Sequence, residues 1–490
     1  MKPQELLNYI DGRSCEILGL GVSNLPLAKL LHENGISLTV RDKKPLAELG
    51  AEAEALAADG VRFVTGSDAF DRIEGELIFR SPGIRPDISG ITEAIAKGAE
   101  LTSEIQLFLK LTSATTYAVT GSDGKTTSTT LTGKFLQAEA DRSGCGAVFV
   151  GGNIGEPLLN RLASVTASDR AVMELSSFQL MTVEKAPRFA AITNVSPNHM
   201  DWHRESMEEY TEAKTNIFGK ETERLVTNAD CKATAEIASR LLARDEGQRP
   251  ALWLFSSVKQ SFSEIFPSGC GENDRAIFER NGIILLSDGR TEIPLLSTAR
   301  IRIPGRHNVE NFMTAIGLTY GSVDPSVYGS VADEFCGVEH RLEWIRRVDC
   351  VDYYNSSIDS SPSRTAAALS ALAGRDITVI CGGYDKKIPF EPLAVALCRS
   401  VRAVVLTGAT KEKIKAAILN CPDYNEDRLT VAEEPDFERA IHLARSLSRP
   451  NGCVLLSPAC ASFDAFKNFA ERGNTFRRIV LSLEETTRNG

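Results

Sequence analysis

Between the apolar run Thr116-Tyr-Ala-Val-Thr120 and a helix-forming stretch opening near Thr127 stands Gly121-Ser122-Asp123-Gly124-Lys125-Thr126-Thr127. Glycines let a backbone turn its N–H groups inward around a phosphate, and a following helix adds partial positive charge at its N-terminus. A lysine beside the second glycine reaches terminal phosphates, and the hydroxyl next to it suits Mg²⁺. The loop is shorter than the G-x-x-x-x-G-K-T pattern, because position 119 is valine where the first glycine belongs. An ordinary glycine turn is the competing reading of the loop alone. The strand before it and the helix after it favour a nucleotide such as ATP.

Three residues further on extend this chemistry. Glu174 closes the apolar run Ala171-Val-Met-Glu, and a carboxylate at the end of a parallel strand borders the crevice where ligands bind. Mg²⁺ usually takes one or two such carboxylates together with phosphate oxygens. A solvated strand-end glutamate is the alternative. His199 follows the run Phe189-Ala-Ala-Ile-Thr-Asn-Val and lies four residues before His203, the spacing of a zinc pair on a helix. No third ligand and no H-E-x-x-H glutamate accompanies them, which argues against zinc. Lys214, in Tyr210-Thr-Glu-Ala-Lys, reads by itself as a lysine on a helix surface.

Alternating elements must position these side chains. Cys15-Glu-Ile-Leu-Gly-Leu-Gly21 predicts a strand running into a glycine turn, followed by a helix over 25–34 and a second strand over 36–41 ending at Asp42. The pair Gly19 and Gly21 lacks the third glycine of a dinucleotide fingerprint, so a plain strand–helix turn competes with a binding role. Strand and helix signals alternate to about Ser113, restart at Thr116, and restart again near Gly337, with strands at 377–383, 403–408 and 453–457. The polar stretch 256–281 reads as a surface insertion or hairpins. Continuous apolar strands separated by helices predict parallel sheets covered on both faces. The expected architecture is α/β with three domains. These are a Rossmann-like domain over 1–113, a central P-loop NTPase-like parallel sheet over 114–336, and a C-terminal Rossmann-like domain over 337–490.

The 490 residues suffice for about three cores, and 42% hydrophobic with 24% charged residues is ordinary globular composition. A net charge of −10 disfavours non-specific binding to nucleic acid or to an anionic membrane, while leaving room for a local basic pocket. Eleven scattered cysteines without a C-x-x-C pair predict reduced thiols in the cytoplasm. No apolar run approaches the roughly 20 residues that span a bilayer, and the N-terminus has no signal-peptide pattern.

Taken together, the motifs resemble the Mur ligases, which extend the peptide of the bacterial cell-wall precursor. The resemblance covers essentially the whole chain. Besides the loop, it rests on Gly151-Gly-Asn-Ile-Gly, Glu174-Leu-Ser-Ser-Phe-Gln-Leu, Asn198-His-Met-Asp, Gly305-Arg-His-Asn-Val-Glu-Asn311 and His340-Arg-Leu-Glu. The block Leu456-Ser-Pro-Ala-Cys-Ala-Ser-Phe-Asp464 with Phe466-Lys-Asn-Phe-Ala-Glu-Arg-Gly is the longest of them and points to the D-glutamate-adding branch. The family reaction phosphorylates a substrate carboxylate with ATP, and an amino-acid amine then displaces phosphate through a tetrahedral intermediate. Such chemistry calls for cations and metal sites more than for a covalent nucleophile.

The resemblance implies roles residue by residue. Gly121, Ser122, Asp123, Gly124, Lys125, Thr126 and Thr127 would hold ATP, with Asn308, Asn311, His340 and Arg341 as further nucleotide contacts. Thr126, Glu174 and His199 would ligate Mg²⁺, and Lys214 would join them as a carbamate; Lys125, Glu174, His199 and Lys214 are thus the catalytic set. UDP-N-acetylmuramoyl-L-alanine would be bound by Val22, Ser23, Asp42, Lys43, Ser81, Pro82, Gly83 and Asn153. D-glutamate would be bound by Lys386, Ser360, Ser462 and Phe463. A monomer is expected. Two positions depart from the family pattern. Asp123 replaces a usual asparagine, and Asn355-Ser356-Ser357-Ile358-Asp359-Ser360 stands where Asn-Asp-Ser-Lys-Ala-Thr is common. They keep open a non-catalytic nucleotide-binding homologue; the other alternative is another Mur or folylpolyglutamate-type ligase.

Overall fold

The computed structural model describes residues 4–21, 23–386 and 388–485. Its strands form three sheets. The first contains β1 (Cys15–Leu18), β2 (Leu38–Asp42), β3 (Arg62–Thr65), β4 (Leu77–Arg80) and β5 (Glu100–Thr102), in the order β3-β2-β1-β4-β5 and parallel throughout. The second contains β6 (Thr115–Thr120), β7 (Val148–Gly152), β8 (Arg170–Glu174), β9 (Phe189–Ile192), β10 (Arg224–Asn228), β11 (Ala251–Ser256), β12 (Arg275–Arg280), β13 (Ile283–Ser287) and β14 (Glu292–Ser297). Their order is β14-β13-β12-β11-β10-β9-β6-β8-β7. The third contains β15 (Glu343–Val348), β16 (Val351–Asn355), β17 (Ile377–Gly382), β18 (Ala403–Thr407), β19 (Thr430–Glu433) and β20 (Cys453–Leu456), in the order β15-β16-β20-β17-β18-β19.

Parallel pairing dominates because helical crossovers return the chain to the same end of each sheet, as the apolar runs predict. The exceptions are β12–β13–β14 and β15–β16, which pair antiparallel at sheet edges. Of the two readings of 256–281, a surface insertion or hairpins, the end of the stretch follows the second. Residues 275–280 form β12, parallel to β11, and begin the hairpin that extends the second sheet. Polar residues at 267–274 hid this, although Ala276, Ile277 and Phe278 are wholly buried.

Contacts divide the chain into two compact units, Met1–Thr298 with Val309–Val331, and Ala299–Asn308 with Ala332–Gly490. In the first unit a single apolar core runs from Leu27 and Phe79 beneath the first sheet to Ile192 and Leu254 in the second. A smaller cluster around Phe70 and Ile91 covers the other face of the first sheet. In the second unit, separate clusters around Leu393 and Phe476 cover the two faces of the third sheet.

Strand ends place the functional loops. β1 stops at Leu18 because Gly19 turns to φ +79, where a Cβ would also lie 2.9 Å from the Ser81 Cβ. β6 stops at Thr120 because Gly121 takes φ +149, and a Cβ there would lie 1.9 Å from the Thr193 hydroxyl. Gly124, at φ +77, caps the helix Lys125–Ser143, so that helix begins two residues before the expected Thr127. Lys125 is thus its first residue and Thr126 its second.

Candidate active site

The loop after β6 is built from the inside out. Ser122 N–H donates to the Asn194 carbonyl at 2.9 Å, and Asp123 N–H to the Asn194 side-chain oxygen at 2.9 Å. The Thr193 hydroxyl donates to the Asp123 carbonyl at 2.5 Å. The Ser122 hydroxyl donates to the Ser196 carbonyl at 2.8 Å and sits 2.9 Å from the Tyr210 hydroxyl. The end of β9 therefore grips the phosphate loop along its length. Asn311 faces the same turn: its side-chain oxygen accepts from Ser128 at 3.2 Å and would lie 2.4 Å from a Cβ at position 124.

Two ammonium groups converge on this loop. Lys125 Nζ donates to the Gly121 and Ser122 carbonyls, each at 2.9 Å, and Lys214 Nζ donates to the same Gly121 carbonyl at 2.9 Å. Lys214 is 1% exposed, with its nitrogen 4.4 Å from the Tyr210 ring centre. It is not the surface lysine its helix suggests. Burial, reinforced by the neighbouring Lys125 charge, pushes its pKa down to about 7. Tyr210 belongs to this site and was missed; its i, i+4 spacing from Lys214 on the helix Met207–Thr215 is the signal that could have found it.

Glu174, at the end of β8, is 2% exposed. One carboxylate oxygen accepts from the Asn153 amide at 2.7 Å, while the other is buried with no hydrogen-bond partner. A buried carboxylate oxygen lacking a donor is costly unless a cation meets it, so the donor set fits Mg²⁺. The Asn153 backbone N–H also donates to the Glu174 carbonyl at 2.8 Å, which fixes Asn153 and Glu174 as one unit. His199 takes a left-handed φ of +54, and burial together with Lys125 and Lys214 lowers its pKa, favouring the neutral imidazole. His203 is fully buried and is spent on Ser177 and Glu209, which removes it from any zinc pair. Among the described residues no three His, Cys, Asp or Glu side chains gather into a metal cage.

The carboxyl end of the first sheet brings a second group of predicted residues together. Asp42 accepts from the Leu20 N–H at 2.8 Å and the Lys44 N–H at 2.9 Å, and Ser81 N–H donates to the Leu18 carbonyl at 2.8 Å. Ser23 opens the helix Asn24–Glu33, and the Lys43 nitrogen sits 5.9 Å from the Phe70 ring centre. Pro82 and Gly83 continue the loop from Ser81, and the Gly83 carbonyl accepts from the Trp202 indole at 3.3 Å. Val22 lies outside the described residues.

The second unit holds the remaining residues. Lys386 Nζ is 3.3 Å from the Ser360 carbonyl and 3.4 Å from its hydroxyl. Ser462 is buried, and Phe463 is 64% exposed with its ring edge-on to Tyr384. Asn308 donates to the Pro304 carbonyl at 2.6 Å. His340 is buried at φ +61, 2.9 Å from the Asn355 amide, with Arg341 next in the chain. The Ser356 hydroxyl accepts from the Leu342 N–H at 3.1 Å. Asp359 is buried, receives the Ser457 hydroxyl at 2.8 Å, and has its pKa raised by desolvation. Its carboxyl is thus turned into the end of the third sheet.

A glycine loop feeding a helix, with two lysines and a poised carboxylate at the end of a parallel sheet, defines an α/β enzyme of phosphoryl chemistry. Residues 119–319 match the Mur ligase middle domain and residues 340–460 the Mur ligase glutamate ligase domain. The UDP-N-acetylmuramoylalanine–D-glutamate ligase of Ruminiclostridium cellulolyticum is 38% identical over 488 residues, covering 99% of each chain. The enzyme of the same name from Clostridium beijerinckii is 39% identical over 482 residues, covering 98% of this chain and 99% of its own. Two solved structures share the fold. UDP-N-acetylmuramate-alanine ligase from Thermotoga maritima matches with TM-score 0.50 and 18% identity over 96% of this chain and 99% of its own. UDP-N-acetylmuramoyl-L-alanyl-D-glutamate–2,6-diaminopimelate ligase matches with TM-score 0.56 and 15% identity over 92% and 93%. The chain belongs to the Mur ligase family. No helix among the described residues is long and apolar enough to cross a membrane.

Proposed function

We propose that the protein is an ATP-dependent ligase that joins D-glutamate to UDP-N-acetylmuramoyl-L-alanine, releasing ADP and phosphate. Curated relatives of that name, 38–39% identical over nearly the whole chain, support this substrate pair over the other family reactions. The observation that carries the chemistry is the convergence of Lys125 and Lys214 on the Gly121 carbonyl, in the unit that also buries the unpartnered Glu174 oxygen.

In this reading Gly121, Ser122, Asp123, Gly124 and Thr127 cradle the ATP phosphates, with the positive end of the helix Lys125–Ser143 behind them. Lys125 neutralises charge on the transferring phosphoryl group. Asn308, Asn311, His340 and Arg341 hold the rest of the nucleotide. Thr126, Glu174, His199 and a carbamate on Lys214 would hold Mg²⁺, which when bound neutralises phosphate charge and orients the phosphate oxygens. The low pKa of Lys214 keeps much of its amine neutral; that amine adds CO₂ and loses a proton, turning a cation crowded by Lys125 into an anion beside it. Asn153 orients Glu174 and, in this reading, contacts the muramyl group.

The three segments 1–113, 114–336 and 337–490 divide the work. Ser23, Asp42, Lys43 and residues 81–83 take the UDP moiety, as Val22 would from outside the described residues. Lys386, Ser360, Ser462 and Phe463 take D-glutamate, for which an ammonium and hydroxyls suit two carboxylates. The alanyl carboxylate is phosphorylated, the D-glutamate amine attacks the acyl phosphate, and phosphate leaves from the tetrahedral intermediate. The enzyme acts in the cytoplasm as a monomer. ADP release requiring both substrates, with product mass equal to their sum less one water, tests the reading. ATP binding without ADP release would favour the non-catalytic alternative, and turnover with a different acceptor would favour another ligase of the family.

A further inference from the structure

The loop after β4 and the turn that begins at His199 are pinned to each other through one arginine. Arg85 Nη1 donates to the Trp202 carbonyl at 2.6 Å and to Glu209 at 2.9 Å, and Nη2 reaches the other Glu209 oxygen at 3.2 Å. Asp87 takes the remaining edge of the guanidinium, at 2.9 and 2.8 Å. The Arg85 side chain is 17% exposed and its guanidinium lies 5.0 Å from the Trp202 ring centre. The Trp202 indole donates back to the Gly83 carbonyl at 3.3 Å.

The contacts continue towards the phosphate chemistry. Glu209 lies 3.3 Å from His203 Nδ1, and His203 Nε2 lies 2.9 Å from the Ser177 hydroxyl, three residues after Glu174. The His199 carbonyl accepts from both Trp202 N–H, at 3.1 Å, and His203 N–H, at 3.2 Å. The left-handed turn at His199 is therefore closed by the two residues that the arginine and its glutamate hold. A fork-shaped guanidinium can make these contacts at once, whereas a lysine ammonium cannot.

We propose that Arg85 is a positioning residue that couples occupancy of the loop at 81–83 by the UDP substrate to the placement of His199. The inference rests on the roles of residues 81–83 and His199 given above. Its test uses the full-length protein and steady-state kinetics with UDP-N-acetylmuramoyl-L-alanine, D-glutamate and ATP. Arg85→Ala is expected to raise the KM for the UDP substrate and lower kcat, each about tenfold or more, with the D-glutamate KM within twofold of wild type. Arg85→Lys should fall between the two. Glu209→Gln, which keeps volume and removes the acceptor charge, should shift the same two constants and so serves if Arg85→Ala does not fold. A purely structural role would lower the melting temperature and leave the folded enzyme's constants alone. Folded variants with kcat and UDP-substrate KM within twofold of an active wild type overturn the proposal. A wild type that forms no ADP overturns instead the function on which it rests.

Discussion

Two ammonium groups sharing one carbonyl is an arrangement that burial alone makes unfavourable, and it explains why Lys214 matters. A lysine at its ordinary pKa is neutral in roughly one molecule in 2,500 at pH 7, whereas one near 7 is neutral about half the time. Lys214→Ala is expected to abolish turnover and regain part of it with added formate or acetate, measured by phosphate release; a fully active alanine variant refutes the carbamate. Lys125→Met should reduce kcat by about 10²–10³-fold, the loss typical of one group aimed at developing charge. Asn153 separates from both by its readout. Because it orients the Glu174 carboxylate, Asn153→Ala should raise the Mg²⁺ concentration for half-maximal activity about 10–100-fold. An unchanged magnesium requirement would leave Asn153 to the substrate alone.

The helix Glu104–Leu111 shows how a charged residue ties one part of the first unit to another. Glu104 is buried and accepts the Leu159 N–H at 2.7 Å, and desolvation raises its pKa to about 7. The native protein then binds more protons than the unfolded chain between about pH 4.5 and 7. Glu104 therefore stabilises fully below that window and loses its contribution as pH rises through it. Glu104→Gln can still accept the hydrogen bond and does not titrate. Its stability relative to wild type should grow by up to about 3 kcal/mol from pH 5 to pH 8 in denaturant titrations; a pH-independent difference would refute the assignment. Elements such as β6, β8 and β17 were readable because apolar runs ending in glycine or a carboxylate need only local pattern. β12 was obscured by the polar residues before it.

Site residues were legible where a local motif carries them, as with Lys125 in its glycine loop. The burial of Lys214 was not, since its helix reads as mostly polar and the carbonyl its ammonium meets lies 93 positions away. The contacts of Arg85 with Trp202 and Glu209 span 117 and 124 residues, and no spacing rule reaches that far. Ser356 and Asp359, which depart from the family pattern, are both buried in hydrogen bonds of the second unit. For the intact chain, UDP-N-acetylmuramoyl-L-alanine at about a hundred times its Kd should stabilise the fold by about 2.7 kcal/mol, read as a rise in melting temperature. No rise would argue against the proposed role of Asp42 and Ser81 in binding that substrate.

The most direct test of an acyl phosphate follows oxygen. UDP-N-acetylmuramoyl-L-alanine carrying ¹⁸O in both oxygens of its terminal carboxylate is incubated with ATP, Mg²⁺, D-glutamate and the protein, and the released phosphate is weighed by mass spectrometry. Phosphoryl transfer to the carboxylate predicts one ¹⁸O in each phosphate, with the other kept in the new amide. Phosphate that forms without ¹⁸O, its new oxygen drawn from water, would contradict the mechanism.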